Sequence, residues 1–463
     1  MVELIKLGID DIVSDICCGP GGFLIAAMKK MMDLSKGDSK KIENIKRNQL
    51  IGVEQQPDMF ALAACNMLLR GDGTANLYLG DCFDRGITQS ISHRRPNKGL
   101  QNAPYSQKGE GLTELYFAKH ALSELAPGSL FAHILPIGCL INKSPLKKEL
   151  LESHTLEAVM SMPDDLFHPG AAVVTCIAVW TAKRKHPDNY KTWFALWKND
   201  GFEKIRGKGR IDLNNKWDNV MQNWINSYLN RETITGVSTL KTITHKDEWC
   251  AEAYVDPIYD INNEIFIASI RQYVSWIIKS GALLKGSENV NLNGIPINID
   301  IKDKTFKKFK CDDLFKIASG SITSVRETKN GKIPLITAIG DDNGVSKWID
   351  AAPDFKKIIL SIAAIGENTG KIFVHPYECC MTKSNIHALV PKFDMNIFHG
   401  LFISAVAEFE RFKFSYGRTL NKHLLSEHIL YLPALKNGEP DWEFIESYMR
   451  SLPFSGLVVP HKY

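Results

Sequence analysis

The sequence predicts an α/β domain built around a largely parallel sheet, then a helical connecting region, then an α+β domain. Residues 1–185 alternate apolar strand-like runs with amphipathic helix-like stretches, which is typical of a parallel sheet covered by helices. A glycine-rich turn joins the first strand-like run to the first helix-like one. From residue 301 short β-like runs interrupted by Gly, Asn and Asp replace this alternation, which indicates a second domain of different construction.

The elements of the first domain follow from hydrophobic periodicity. Strands are predicted where short apolar, β-prone runs occur, at residues 11–16, 50–54, 76–79, 98–102, 130–135, 156–161 and 173–181. Helices are predicted where apolar residues recur at helical spacing, at residues 24–32, 59–69, 113–125 and 146–153. Two polar stretches, residues 36–48 and 84–98, are interpreted as a solvated loop or helix end and as a surface loop.

Residues 186–300 carry six tryptophans spread through polar, helix-compatible sequence, and we interpret them as a mostly helical connecting region. The tryptophans are expected to be core or helix-packing residues. In residues 301–463 we predict a helix at 398–412 and a closing helix at 441–452, and we expect irregular loops that suit recognition.

Composition excludes several classes of protein. Of the 463 residues 44% are hydrophobic and 23% charged, and the apolar runs are too short to span a bilayer. We therefore expect a cytoplasmic protein without a membrane segment. The ten cysteines form no C-x-x-C pair and no Cys/His cluster at zinc spacing, so we expect reduced thiols and no metal site. The net charge of +4 lies wholly in residues 301–463, which hold 22 Lys+Arg against 18 Asp+Glu and could face a polyanion.

The glycine-rich turn is Asp15-Ile-Cys-Cys-Gly19-Pro-Gly21-Gly22-Phe23. A strand, a glycine turn and a helix in this order allow the backbone to approach a ligand and direct helix N–H groups at it. The same sequence also suits a sharp turn packed on a sheet. On its own the turn is therefore equally compatible with a nucleotide-like cofactor site and with a structural turn.

Two acids follow at the ends of the next strands. Glu54 ends the second predicted strand and could accept hydrogen bonds from both hydroxyls of a ribose. Asp81 ends the third, at the carboxyl edge where open α/β sheets bind ligands, and could accept from an adenine amino group. Either residue could also be an ordinary surface acid at a strand end.

The fourth predicted strand ends in Asn102-Ala103-Pro104-Tyr105. With the turn and the two acids, this tetrapeptide resembles the [D/N/S]-P-P-[Y/F/W] motif of the amino-methyltransferases of nucleic acids. The chain most resembles the modification subunits of type I restriction systems and the fused methylase–specificity enzymes of types IIB and IIG. Further matching segments are Asn66–Arg70, Leu79–Cys82, Leu130–Pro136 and Met162–Phe167. One departure is Ala103, which stands where the family has its first proline.

The resemblance implies a Rossmann-like domain that binds S-adenosyl-L-methionine and methylates adenine N6 in DNA. It implies that cofactor contacts come from the turn and the two acids, namely Asp15, Gly19, Gly21, Gly22, Phe23, Glu54 and Asp81. It makes Asn102, Ala103, Pro104 and Tyr105 the catalytic tetrapeptide. Tyr105 would stack on the flipped base, and Phe167 would be a second stacking aromatic or else a core residue.

Pro104 keeps residue 103 extended, so we expect the motif's geometry to survive Ala103 with a slower rate. In a second departure, the family's long helical region before the glycine turn is not found in the 14 residues ahead of Asp15. We expect that a separate chain supplies this region, a second specificity domain or a nuclease. A nuclease motif of the P-D…(D/E)-x-K type is not evident in this sequence.

Residues 311–453 resemble one target-recognition domain of a type I specificity subunit. Matching pieces include Asp313–Ile317, Gly331–Thr337 and Lys413–Arg418. The resemblance implies double-stranded DNA as partner, read through the major groove. The candidate phosphate contacts are Lys383, Lys413, Arg418 and Lys422, each of which could instead be an ordinary solvated cation.

Three functions remain open from the sequence. The first is an adenine-N6 DNA methyltransferase of a restriction–modification system, with N4-methylcytosine as the alternative product of the same acceptor groups. The second is a truncated, catalytically idle DNA-binding remnant, or one half of a split methylase–specificity enzyme. The third is a small-molecule or protein methyltransferase, since Asn-x-Pro-Tyr also occurs in glutamine methylation. The recognition domain argues against the third.

Overall fold

The computed structural model describes residues 1–71, 76–105, 113–168, 173–205, 207–280, 300–415 and 417–458. Its contacts divide the chain into two compact units, unit 1 (Met1–Asp256) and unit 2 (Pro257–Tyr463). Among the described helices, none is long and apolar enough to cross a membrane.

Unit 1 is built on a nine-stranded mixed sheet. Its described strands are β1 (Val13–Asp15), β2 (Leu50–Glu54), β3 (Leu77–Leu79), β4 (Lys98–Asn102), β5 (Leu130–Pro136), β6 (Thr155–Ser161), β7 (Thr175–Thr181), β8 (Lys191–Leu196), β9 (Glu203–Ile205), β10 (Gly209–Ile211) and β11 (Ser238–Thr242). The sheet order is β11-β8-β6-β7-β5-β4-β1-β2-β3, and β9 and β10 form a separate hairpin. Strands β3, β2, β1, β4 and β5 are parallel, whereas β7 runs antiparallel between β5 and β6. This confirms the predicted α/β class. The strand order is that of a doubly wound sheet, because β2 and β3 are added on one side of β1 whereas β4 and β5 are added on the other.

Helices and hydrophobic layers cover both faces of this sheet. The described helices of unit 1 are α1 (Gly22–Ser35), α2 (Ser39–Asn44), α3 (Pro57–Leu68), α4 (Arg85–Arg94), α5 (Glu114–Glu124), α6 (Ile137–Ile141), α7 (Pro145–Ser153) and α8 (Trp217–Asn230). Successive residues of β8 show how the sheet divides the core, because Trp193 packs in one layer and Phe194 in the other. Burial on both faces explains why central strands such as β5 and β7 are nearly continuous apolar runs in the sequence.

The prediction of a surface loop at residues 84–98 is wrong, because helix α4 occupies most of this stretch. The side chain of Asp84 caps this helix by accepting from the backbone N–H groups of Gly86 and Ile87. Only Ile91 of the helix is buried, so the sequence shows almost no apolar periodicity there. In the same way, the polar stretch at residues 36–48 contains the short helix α2, in which no residue is buried.

In the part that the structure describes, residues 186–300 are not mostly helical as predicted, because they contain strands as well as helices. Strands β8 and β11 extend the sheet of unit 1, and the contacts divide the chain at residue 256 instead of 185 and 300. The β-branched and aromatic residues of Lys191–Leu196 belong to a buried strand, which a helical interpretation of this polar region overlooks. The tryptophans do pack as predicted: Trp193 and Trp249 are fully buried, and the Trp197 and Trp224 rings stack at 4.9 Å.

Unit 2 is an α+β unit with three small sheets. Its described strands are β12 (Phe306–Lys310), β13 (Phe315–Ala318), β14 (Asn330–Ile336), β15 (Val345–Ile349), β16 (Ile359–Ala363), β17 (Ile372–His375), β18 (Cys380–Met381), β19 (Ile386–Pro391) and β20 (Ile429–Pro433). The strand orders are β13-β19-β16-β17, β15-β14-β18 and β12-β20. Its described helices are α9 (Asn263–Lys279), α10 (Cys311–Leu314), α11 (Ile397–Ala407), α12 (Lys422–Ser426) and α13 (Trp442–Ser451).

Candidate active site

The glycine turn connects β1 to α1 at the carboxyl edge of the parallel strands. Gly19 and Gly21 have φ of 51° and 83°, a left-handed conformation that glycine adopts without strain. Gly21 also lies close to α3, because a Cβ there would be 3.7 Å from the Cβ of Ala63. At Gly19 and Gly22 a Cβ would meet nothing within 4 Å, so the turn borders open space. Phe23 is half-buried in the first turn of α1 and packs against the core.

Glu54 lies against this turn, as its position at the end of β2 predicts. One carboxylate oxygen accepts from the backbone N–H of Gly19 at 2.9 Å, and the other from that of Gln56 at 2.8 Å. Because β1 and β2 are parallel neighbours, a residue 35 positions further along the chain reaches the turn. The two amides fix the carboxylate beside the open space, where its remaining lone pairs are available to a ligand.

Asp15 is the buried acid of the site and is 1% exposed. Its side chain accepts from the backbone N–H of Cys17 at 3.1 Å. Burial raises the pKa of Asp15 to about 7; the Cys17 amide opposes this rise and the Glu54 carboxylate adds to it. The carboxyl group is therefore partly protonated near neutral pH, which a sequence cannot show.

Asp81 and Asn102 lie at the carboxyl ends of β3 and β4, the strands that flank β2 and β1. Asp81 follows β3, is exposed, and accepts from the backbone N–H of Phe83 at 3.0 Å. Asn102 ends β4 and is exposed, as is Pro104, whereas Ala103 between them is only 4% exposed and belongs to the core. Since β3, β2, β1 and β4 are parallel neighbours, all these groups lie along one edge of the sheet.

The rings of Tyr105 and Phe167 contact each other edge-on, although the two residues are 62 positions apart in the sequence. Their ring centroids are 6.4 Å apart and the rings are nearly perpendicular, at 80°. Within the described residues the Tyr105 hydroxyl is buried without a hydrogen-bond partner, and burial raises its pKa above the ordinary value. Phe167 is half-buried and also packs against the core, so both interpretations of this residue agree with its position.

Phe167 lies on a loop that ion pairs hold in place, and the sequence analysis missed these ion pairs. Asp164 of the loop pairs with Lys198 at 2.6 Å, and Asp165 pairs with Arg210 at 3.0 Å. In the sequence, the adjacent acids Asp164 and Asp165 are the feature that could have indicated charged contacts at this loop. Their partners come from distant parts of the chain, and no local pattern identifies them.

The four predicted phosphate contacts in unit 2 are not equivalent. Lys383 and Lys422 are exposed. Lys413 pairs with the buried carboxylate of Glu410 at 2.6 Å, and Arg418 is 6% exposed and donates to the Lys413 carbonyl at 2.7 Å. Lys413 and Arg418 are therefore engaged in contacts within unit 2.

Comparison with known proteins assigns both parts of the chain to known families. Residues 1–277 match the N-6 DNA Methylase family model, and residues 303–453 match the Type I restriction modification DNA specificity domain model. The chain is 38% identical over 211 residues to the type II restriction enzyme and methyltransferase RM.BcgI of Heyndrickxia coagulans. The matched region covers 43% of this chain and 32% of that protein.

Two further relatives match different parts of the chain. The specificity subunit S.BcgI of Heyndrickxia coagulans is 28% identical over 181 residues, covering 38% of this chain and 51% of the subunit. The methylase subunit of the type I restriction enzyme EcoEI of Escherichia coli is 26% identical over 219 residues, covering 42% and 44%. The chain thus spans 32% to 51% of the length of these curated relatives. Because its family model covers more than half of the chain, this protein belongs to the N-6 DNA methylase family.

Proposed function

We propose that this protein is a cytoplasmic, site-specific DNA methyltransferase that transfers a methyl group from S-adenosyl-L-methionine to adenine N6 in a restriction–modification system. The observation that carries the proposal is the carboxyl edge of the sheet. There the glycine turn with Glu54 and the Asn102–Tyr105 segment end adjacent parallel strands. One edge therefore offers a site for a nucleoside-like cofactor beside a site for an amine.

The residues present fit such a cofactor. The turn borders open space at Gly19 and Gly22, and the Glu54 carboxylate is fixed next to that space by two backbone amides. We assign the ribose hydroxyls to Glu54 and the adenine amino group to Asp81, each of which has lone pairs left to accept. S-adenosyl-L-methionine supplies an activated methyl group, and membership of a methyltransferase family implies its use.

The tetrapeptide is suited to activating an aromatic amine, which is a poor nucleophile because its lone pair is conjugated with the ring. The Asn102 side-chain oxygen and the Ala103 carbonyl would each accept one N–H of the target amine. This localises the nitrogen lone pair, so the interaction strengthens as the new N–C bond forms and the old S–C bond breaks. The amine then loses one proton to solvent. Asn102 is exposed at the end of β4, where a base can reach it.

The Tyr105 ring would stack on the extruded base, and Phe167 would bound the same space from its edge-on position. Because its phenol pKa is raised by burial, Tyr105 stays neutral and serves as an aromatic surface instead of an acid–base group. Unit 2 would read the duplex, with Lys383 and Lys422 as exposed phosphate contacts. A second specificity domain or a nuclease on a separate chain would complete the system.

The test is mass spectrometry of nucleosides from duplex DNA incubated with the full chain and S-adenosyl-L-methionine. We expect N6-methyladenine, and methylation-aware sequencing of genomic DNA with and without the gene should give the target site. Asn102→Ala should lower turnover by about 10²-fold or more, by analogy with loss of one oxyanion-hole group, and leave DNA binding nearly unchanged. Full activity of this variant would refute the site, and N4-methylcytosine as product would refute the base.

A second candidate is a protein that binds DNA but does not methylate it. The observation in its favour is Ala103, which is buried at 4% exposure where the family has a proline. Sequence-dependent DNA binding without any methylated nucleoside, measured on the same preparation, would select this candidate over the first.

A further inference from the structure

The loop that follows β6, residues 162–168, carries Phe167 and is tied to the protein by charged side chains. Asp164 accepts a hydrogen bond from the Lys198 ammonium at 2.6 Å. Asp165 lies 3.0 Å from the Nε of Arg210. The two acids are adjacent and are anchored to two different cations, so the loop is fixed at two consecutive positions.

Both cations are themselves held by buried acids. The Lys198 ammonium also lies 3.2 Å from Glu252, whose side chain is fully buried and accepts from the Ser161 hydroxyl at 2.6 Å. Burial works against the ammonium, but Glu252 and Asp164 outweigh it and raise the Lys198 pKa above the ordinary value. Lys198 therefore stays charged at neutral pH.

Arg210, on strand β10, is held in a similar way by Asp200, which precedes β9. Its two terminal nitrogens donate to the two oxygens of Asp200 at 2.9 and 2.8 Å, a bidentate pair whose side chains are 10% and 5% exposed. The Nε of Arg210 lies 3.0 Å from Asp165 without the geometry of a hydrogen bond, so this contact is an ion pair. Because Asp200 fixes the guanidinium, its charge is held beside Asp165 and attracts the loop from a defined position.

We propose that Lys198 and Arg210 are positioning residues which, through Asp164 and Asp165, hold Phe167 opposite Tyr105. The proposal rests on the proposed function in that these two aromatic rings are taken to form the wall of the site that receives the target base. Neither cation touches the reacting atoms, so their contribution is the orientation of a side chain that does. Two anchors on adjacent residues limit rotation of the loop, which one anchor would permit.

The test uses variants that release the loop without stranding a buried charge. Asp164→Asn and Asp165→Asn, alone and combined, remove the loop's half of each pair and leave each cation with its buried acid. Lys198→Arg is the conservative variant of one anchor. Lys204→Met is the control, because Lys204 is exposed on the same hairpin, directly across from Arg210.

The first readout does not depend on activity. With 4-fluorophenylalanine at position 167, the ¹⁹F resonance of the full chain should be single and shifted from its solvent value. It should broaden or move toward the solvent value in the combined Asp164→Asn/Asp165→Asn variant and stay unchanged in Lys204→Met. An unchanged resonance in the combined variant would overturn the positioning role.

The second readout separates binding from turnover on DNA that carries the site found by methylation-aware sequencing. We expect the combined variant to lower kcat about tenfold or more while KM for DNA and the affinity for S-adenosyl-L-methionine change less than threefold. Lys198→Arg should keep most of the activity. A KM effect with kcat intact would also overturn the proposal. Loss of the ¹⁹F shift in variants of a chain that never methylates DNA would uphold the anchoring and reject the proposed function instead.

Discussion

The buried carboxyl of Asp15 should make the stability of unit 1 depend on pH. The pKa of this group is raised from 3.8 to about 7, chiefly because burial penalises the charged form. Below pH 3.8 Asp15 is protonated whether the chain is folded or not. Between pH 3.8 and about 7 only the unfolded chain releases the proton, so the contribution of this group to stability falls as pH rises.

The size of the effect follows from the same two values. At about 1.4 kcal/mol per pH unit, a rise in pKa from 3.8 to about 7 corresponds to about 4 kcal/mol between the two limits. Asp15→Asn cannot ionise but keeps an oxygen that can accept from the Cys17 amide. The variant should therefore resemble wild type at pH 4 and exceed its stability by about 3–4 kcal/mol at pH 8.

Urea denaturation at several pH values between 4 and 8, followed by tryptophan emission, measures this difference. Trp180, Trp193 and Trp249 are fully buried in unit 1 and report its unfolding. Ser14→Ala is the matched control, because Ser14 is a buried neighbour on β1 that carries no ionisable group. A difference between Asp15→Asn and wild type that changes by less than about 1 kcal/mol over this pH range would refute the reasoning.

Four further outcomes test other parts of the molecule. Glu54→Ala should weaken S-adenosyl-L-methionine binding by about 1–3 kcal/mol in calorimetry if its hydrogen bonds to the ribose are buried, and unchanged affinity would contradict that assignment. Ala103→Pro should leave methylation equal or faster, because the carbonyl is kept and φ is fixed; a clear loss would show that Ala103 is adapted to its buried position. Lys422→Ala should reduce the slope of log affinity for duplex DNA against log salt by about 1, which a salt series of the full chain measures. Gly52→Ala should destabilise unit 1 by about 1–3 kcal/mol in urea, because the new Cβ would lie 2.6 Å from Leu77; unchanged stability would show that the core yields.

The parallel part of the fold could be predicted from the sequence because its strands are buried on both faces. Such strands are often continuous apolar runs, and the runs assigned at residues 50–54 and 130–135 coincide closely with β2 and β5. The antiparallel insertion of β7 between β5 and β6 could not be predicted, because strand order depends on contacts between distant segments. Helix α4 was missed for a different reason, since it buries only Ile91.

The candidate site also contains features that could be predicted from the sequence and features that could not. The contact between Glu54 and Gly19 was accessible to prediction, because the carboxyl ends of adjacent parallel strands meet at one edge. The charged anchors of the Phe167 loop were not, because an ion pair between distant residues leaves no periodic pattern. Sequence also fails to separate Arg418, which is buried within unit 2, from Lys422, which is exposed, since both are simply cations in a basic segment.

The two sides of the site are stabilised by different forces. The turn beside Asp15 is held by hydrogen bonds from its backbone N–H groups to Asp15, Glu54 and a neighbouring carbonyl, and by packing of Gly21 against α3, which salt hardly affects. The Phe167 loop depends on ion pairs whose acids, Asp164 and Asp165, are 59% and 38% exposed and therefore screened by salt. Moderate salt should consequently loosen the position of Phe167 before it disturbs the turn. In the proposed function, the side assigned to the cofactor is therefore insensitive to salt, whereas the loop assigned to the base is held by contacts that salt weakens.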